Sequence, residues 1–112
     1  MNTTENNKII AEFMKWDILN DMTYSKATKG KWVELDKLKF HYNWNWLMEV
    51  VEKIESLGNC QIDISLNWCR VGYKGITIDS RDYLKSSSKI EAVYNACVEF
   101  IKFYNENGAK NN

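Results

Sequence analysis

The sequence predicts an α+β domain in which about three helices pack in layers against an antiparallel sheet of three or four strands. Two observations carry this prediction. Apolar residues recur with helical spacing in three segments, and residues 60–79 alternate between apolar and polar side chains. The expected order is helix, short strands, helix, β-meander and helix, within a single domain over residues 1–112. The chain is 45% hydrophobic, which is enough to bury a core.

The first helix is expected from about Thr4 to Asp17, with Thr3 or Thr4 as its N-cap, because Ile10, Phe13 and Met14 share one face. Residues 19–31 then lose all periodicity and are rich in turn-forming residues and lysine. We therefore expect an irregular basic loop there, either a functional loop or a mobile surface insertion. Alternation between residues 32 and 42 predicts one or two short strands.

The second helix is expected to begin after Asn43 or Asn45 as N-cap and to end at Gly58-Asn59. The alternation in residues 60–79 changes phase near Asn67 and again at residues 73–75, which predicts two turns and a three-stranded meander. The last helix opens on Ser88-Lys89-Ile90-Glu91, a capping-box sequence. Its apolar stripe consists of Ile90, Val93, Cys97, Phe100, Ile101 and Tyr104.

The charge balance and the reactive residues argue against several functions. Equal numbers of basic and acidic residues, 15 of each, disfavour binding of duplex DNA or anionic lipid through the whole protein surface. His41 is the one histidine, and the three cysteines have no metal-ligand spacing, so we expect reduced thiols and no metal site. No phosphate-binding glycine loop occurs. We predict neither an enzyme nor a cofactor, and no catalytic residues.

Aromatic residues are the strongest indication of binding. Trp44 and Trp46 lie about 200° apart around a helix, so both cannot face one core. Tryptophan beside lysine or arginine anchors protein interfaces and also stacks on nucleobases. The candidate binding residues are those that combine these side chains near loop ends: Lys26, Lys29, Lys31, Trp32, Trp44, Trp46, Trp68 and Arg70.

Two segments carry a family resemblance. Residues 40–54 (FHYNWNWLMEVVEKI) and 88–105 (SKIEAVYNACVEFIKFYN) resemble small phage and prophage proteins of the phage α/β sandwich type, common in phages of Bacteroidetes-type bacteria. The chain departs from that pattern at Glu49, where the family has proline, and residues 19–37 lie outside it. The resemblance implies an accessory phage protein in the cytoplasm of an infected bacterial host. It supplies no site residues.

Several functions remain open at this point. The first is a non-enzymatic counter-defence protein that inhibits a host antiviral effector, such as a CRISPR nuclease, by stoichiometric protein binding. The second is a sponge that sequesters a nucleotide immune signal, and the third is a phage protein that binds single-stranded nucleic acid. No apolar run predicts a membrane span. A second copy could cover the polar face of the meander, which favours a homodimer.

Overall fold

The computed structural model describes residues 3–65, 68–79 and 88–108 and confirms an α+β fold. Its described elements form three α-helices and two three-stranded antiparallel sheets, instead of a single sheet of three or four strands. In chain order they are α1 (Thr3–Phe13), β1 (Asp17–Leu19), β2 (Met22–Tyr24), β3 (Val33–Glu34), α2 (Trp44–Glu55), β4 (Cys60–Ser65), β5 (Trp68–Tyr73), β6 (Ile76–Asp79) and α3 (Lys89–Phe103). A 3₁₀ turn at Leu35–Lys37 follows β3, and a π-helical turn at Tyr104–Gly108 follows α3.

Helix α3 is the centre of the molecule. It packs against β5 and against α1, and it also contacts α2. Nine of its 15 residues are buried, so it is enclosed around most of its circumference instead of along the single predicted stripe. The physical reason is that no charged residue occurs between Glu91 and Glu99, so no side chain on this part of the helix carries a charge that must be hydrated. Its predicted N-cap is confirmed, since the Ser88 hydroxyl accepts from the Glu91 N–H at 3.2 Å.

The second sheet is the predicted meander, with β5 between β4 and β6. The pairing runs from Cys60 opposite Tyr73 to Ser65 opposite Trp68. One face packs on α3 and carries the buried Cys69, Val71 and Tyr73. The turn between β5 and β6 lies at Lys74 and Gly75, both in the left-handed region. The predicted turn near Asn67 and the polar link after Asp79 fall outside the described residues.

The first sheet replaces much of the predicted loop. Strands β1 and β2 form a hairpin with Leu19 opposite Met22, and β3 pairs with β2 through Thr23 and Val33. Strand β3 has only two residues, and no strand forms at residues 38–42. The segment is not paired with another strand, and its apolar–polar alternation arises because Leu38 and Phe40 are buried while the intervening Lys39 is exposed. The expected irregular loop therefore shrinks to residues 25–32.

The ends of the first two helices test the capping residues that the sequence predicts. Helix α1 already includes Thr3 and Thr4, so neither residue is the N-cap that we expected. Asn43 caps α2, since its side chain accepts from the Trp46 N–H at 3.3 Å, whereas Asn45 lies within the helix. Helix α2 turns a fully apolar face inward, formed by Leu47, Val50, Val51 and Ile54. It ends at Glu55 with Ser56 as C-cap, earlier than the predicted end at Gly58-Asn59, and those two residues have positive φ in the turn that follows.

A buried polar relay links three elements. The Tyr94 hydroxyl of α3 donates to the Oδ1 atom of Asn7 in α1 at 2.9 Å. The Nδ2 atom of Asn7 donates in turn to the carbonyl oxygen of Leu35 at 2.7 Å. All three residues are fully buried, so the Tyr94 hydroxyl and the Asn7 side chain depend on this relay for their hydrogen bonds, whereas the Leu35 carbonyl also accepts from the Leu38 N–H at 3.3 Å. The relay fixes the 3₁₀ turn against the two helices.

Candidate binding surfaces

The outward face of the first sheet carries exposed apolar side chains together with the exposed acidic residues Asp17 and Glu34. Strand alternation turns Ile18, Thr23 and Val33 inward, and Thr23 is fully buried with its hydroxyl donating to the Asp17 carbonyl at 2.7 Å. Leu19, Met22 and Tyr24 therefore point outward. Leu19 is 63% exposed, and Tyr24 is 39% exposed. Such a face has the composition of a protein-binding surface.

Trp32 extends this outward face. It directly precedes β3 and is 46% exposed, and its ring lies 5.6 Å from that of Tyr24. An aromatic contact of this kind stabilises the packing of both rings. We call the surface formed by Leu19, Met22, Tyr24 and Trp32 the outer-sheet patch.

The turn at residues 25–31 is ordered by one threonine. Thr28, which is almost completely buried, accepts from the Ser25 N–H at 3.0 Å. Its hydroxyl oxygen also lies 2.9 Å from the Ser25 carbonyl and 2.7 Å from the Lys31 carbonyl. Since one hydroxyl supplies one hydrogen, these two carbonyls share it. The turn is therefore a compact hydrogen-bonded unit, and it presents the predicted residues Lys26, Lys29 and Lys31 to solvent.

A cleft lies between this turn and the 3₁₀ turn. It has a volume of about 250 Å³ and is lined by Ala27, Thr28, Lys29, Val33, Lys37, Lys39 and Trp46. We call it the lysine cleft. A second cavity of about 530 Å³ is lined by Trp16, Ser25, Lys26, Ala27 and Glu49. Ala27 lines both, so the two cavities adjoin at the turn.

The two tryptophans of α2 separate as their spacing predicts. Trp44 is 39% exposed, whereas Trp46 is half-buried and packs against Phe40 and Trp16 with ring centroids 5.4 and 5.9 Å away. Both contacts of Trp46 are edge-to-face. Trp46 thus belongs to an aromatic cluster that also lines the lysine cleft, and Trp44 belongs to neither.

Trp68 and Arg70 lie on another surface. Both are on β5, on the face opposite to the buried Cys69 and Val71, and therefore on the side of the sheet that faces away from α3. The Arg70 guanidinium carbon lies 5.2 Å from the centre of the Trp68 ring. Asp63 stands opposite Arg70 in the sheet, and the Arg70 Nε atom is buried without a hydrogen-bond partner. The predicted residues are therefore divided between at least two surfaces.

Among the described residues, His41 and the three cysteines are the side chains that the sequence offered for metal binding or nucleophilic chemistry. Burial lowers the pKa of His41 below its ordinary value, and its Nδ1 atom is buried without a hydrogen-bond partner. The thiols of Cys60, Cys69 and Cys97 are free, and burial raises the pKa of Cys97 well above its ordinary value. Across residues 3–65, 68–79 and 88–108, no three His, Cys, Asp or Glu side chains are grouped so that they could hold a metal ion.

Sequence reasoning missed three of the four residues of the outer-sheet patch and two of the three lysines of the lysine cleft. Lys37 and Lys39 lie in the segment for which the sequence predicts short strands, and their alternation with the apolar Leu38 already indicates that both side chains reach solvent. Leu19 and Tyr24 were hidden in a segment interpreted as a loop, because strands of three residues are too short for alternation to identify them.

Two general findings complete the description. Within the described part of the chain, no helix combines the length and apolar character that crossing a bilayer requires. The resemblance to phage proteins stays a prediction, because comparisons with protein-family models, with curated proteins and with solved structures find no match to this chain.

Proposed function

We propose that the protein acts by stoichiometric binding of another protein, and that the outer-sheet patch is the contact surface. The observation that carries this proposal is the exposed Tyr24–Trp32 ring pair on the same outward face as the largely exposed Leu19. Aromatic anchors of this kind contribute most of the binding free energy in protein interfaces. The resemblance to phage proteins makes a host antiviral effector the partner class that we propose, with counter-defence as the biological role.

The backbone that carries the outer-sheet patch is ordered, which favours tight binding. Leu19, Met22 and Tyr24 lie on paired strands, Trp32 directly precedes β3, and Thr28 orders the adjacent turn, so little conformational entropy of the backbone remains to be lost on association. Lys26, Lys29 and Lys31 stand near its edge and can accelerate the approach of an acidic partner. This arrangement of a central aromatic pair with charged surroundings matches the core and rim of known interfaces.

The first experiment identifies the partner and the surface together. The tagged chain, its Trp32→Ala variant and its Trp44→Ala variant are each recovered from a phage-infected bacterial culture, and bound proteins are quantified by mass spectrometry. Trp44→Ala is the matched control, because it removes an exposed indole outside the patch. We expect one host protein to be depleted with Trp32→Ala and retained with Trp44→Ala.

The second experiment measures the complex with purified components. Truncating a central tryptophan costs about 2 kcal/mol or more, which corresponds to at least about 30-fold weaker binding. Isothermal titration should show this loss for Trp32→Ala, and phage plating on the defended host should fall in parallel. Retention of full affinity by Trp32→Ala, or an equal loss with Trp44→Ala, contradicts the proposed surface.

A homodimer is the alternative occupant of the patch. If a second copy covers it, sedimentation at micromolar concentration shows a dimer that Trp32→Ala converts to a monomer. That outcome would replace the proposed partner by self-association. The single-stranded nucleic acid alternative predicts strongly salt-dependent binding instead, because each neutralised phosphate releases a counterion.

A further inference from the structure

We infer that the lysine cleft binds a small phosphorylated ligand that carries an aromatic ring, of the mononucleotide class. Three lysines and one indole line a single concave site there: Lys29, Lys37, Lys39 and Trp46. This inference rests on residues outside the outer-sheet patch, so it holds or fails independently of the protein-binding proposal.

The cleft concentrates positive charge in a chain that is neutral overall. Five lysines and two acidic residues lie between residues 26 and 39, which leaves a local net charge of +3. None of the residues that line the described cleft is acidic. A phosphate monoester carries about 1.5 to 2 negative charges at neutral pH, so two or three lysines match one such group. An uncharged ligand would leave these charges repelling one another.

The backbone segments that carry the lysines are fixed on both sides of the cleft. Lys29 has a φ of 58°, a left-handed conformation that is strained for lysine and that the Thr28 hydrogen bonds maintain. On the opposite side, Leu35 and Leu38 are fully buried, and the Asn7 side chain holds the Leu35 carbonyl. Lys37 and Lys39 therefore extend from an anchored backbone, and the site needs little rearrangement to receive an anion.

Trp46 supplies the aromatic component. Its ring is fixed by edge-to-face contacts with Phe40 and Trp16, while the side chain also lines the cleft. Fixed indoles stack on nucleobases without sequence preference. The cleft volume of about 250 Å³ lies just below the usual range of about 300–1,000 Å³ for ligand pockets, which limits the ligand to the size of a mononucleotide.

The test uses adenosine monophosphate, pyrophosphate and adenosine as probes in separate titrations, monitored by backbone amide chemical shifts. At an ionic strength of about 0.05 M, we expect adenosine monophosphate to bind with a Kd on the order of 0.01–0.1 mM, typical for about 20 non-hydrogen atoms. The shifts should centre on residues 27–29, 37–39 and 46. Pyrophosphate should bind more weakly, and adenosine should not bind measurably.

Two variants assign the binding to the cleft. The double substitution Lys37→Gln/Lys39→Gln removes two exposed charges from it and should weaken binding of the monophosphate about tenfold or more. The matched control Lys74→Gln/Lys102→Gln removes two exposed charges elsewhere, at the β5–β6 turn and on α3, and should change Kd by less than about twofold. Trp46→Phe should weaken binding of the monophosphate while leaving that of pyrophosphate unchanged.

Several results would overturn the inference. One is the absence of any shift with adenosine monophosphate at about 1 mM, ten times the upper expected Kd. Another is an equal loss in the control variant, which would show general charge attraction. A third is a short oligothymidylate that binds more than about tenfold tighter than the monophosphate, since that result would assign the cleft to single-stranded nucleic acid.

Discussion

The buried relay of Tyr94, Asn7 and Leu35 allows a quantitative test of how the described core is held together. Tyr94→Phe removes only the hydroxyl that donates to Asn7, and leaves the ring in place. Burial raises the pKa of Tyr94 far above its ordinary value, so the hydroxyl stays protonated and donates at every accessible pH. Asn7→Ala removes the acceptor of that bond and also the donor to the Leu35 carbonyl.

The expected costs follow from counting the polar groups that each substitution leaves unpaired. Tyr94→Phe leaves the Asn7 Oδ1 atom alone in the core, at about 1–3 kcal/mol. Asn7→Ala leaves the Tyr94 hydroxyl alone and removes one of the two hydrogen bonds that the Leu35 carbonyl accepts, the other coming from the Leu38 N–H, at about 1–4 kcal/mol. Once Asn7 is absent, Tyr94→Phe removes a group that is already unpaired and should cost almost nothing. The double-mutant cycle should therefore give a coupling energy of about 1–3 kcal/mol.

Urea unfolding of the wild type, both single variants and the double variant measures this coupling directly. A loss of 1 kcal/mol corresponds to a Tm lower by about 4 °C for a domain of this size, so thermal melts provide a second readout. The exposed Tyr42→Phe is the matched control, and its free energy of unfolding should lie within about 0.5 kcal/mol of the wild type. Additive single costs, or a Tyr94→Phe variant as stable as the control, would refute the relay.

Three further predictions follow from particular side chains. Thr28→Val should lower the free energy of unfolding by about 1–2 kcal/mol, since three polar contacts of the Thr28 hydroxyl are lost. It should also speed amide hydrogen exchange at residues 25–31, and unchanged exchange would contradict the role of Thr28 in ordering this turn. Burial lowers the pKa of His41 in the folded state, so the unfolded chain binds a proton at this imidazole more readily. The free energy of unfolding should therefore fall as the pH falls below about 6.5, and His41→Gln should reduce this fall in urea titrations. An unchanged pH dependence in the variant would mean that other groups cause it. A thiol-specific reagent at pH 8 should label the half-buried Cys60 before the buried Cys69 and Cys97, and simultaneous labelling in the native state would contradict the burial described.

The elements that sequence predicted well are those whose signals are local. The cap at Asn43, the apolar face of α2 and the alternation in β4 and β5 each depend on residues within a few positions of one another. The first sheet was missed because β3 has two residues and is defined by its partner β2, about ten positions earlier in the chain. Pairing at that distance leaves no periodic trace in so short a strand.

The sequence predicts several exposed residues of the candidate surfaces, but it does not show which of them lie together. Trp32, Trp44 and the three lysines of the 25–31 turn are solvent-exposed. Nothing in the sequence showed that Lys29 faces Lys37 and Lys39 across a cleft, because that proximity depends on how the 3₁₀ turn is anchored by Asn7. Side chains that meet only through tertiary contacts cannot be joined by patterns along one segment.

The central position of α3 has a consequence for biosynthesis. Ribosomes make this helix after both sheets and both other helices, and its 15 residues take roughly 1–3 seconds to synthesise. Until then the inner face of β5 and the facing side of α1 have no partner to cover them, so a nascent chain stalled before residue 88 exposes apolar surface in both places. We therefore expect a premature stop codon between residues 88 and 100 to yield aggregated and rapidly degraded polypeptide instead of a partly active fragment.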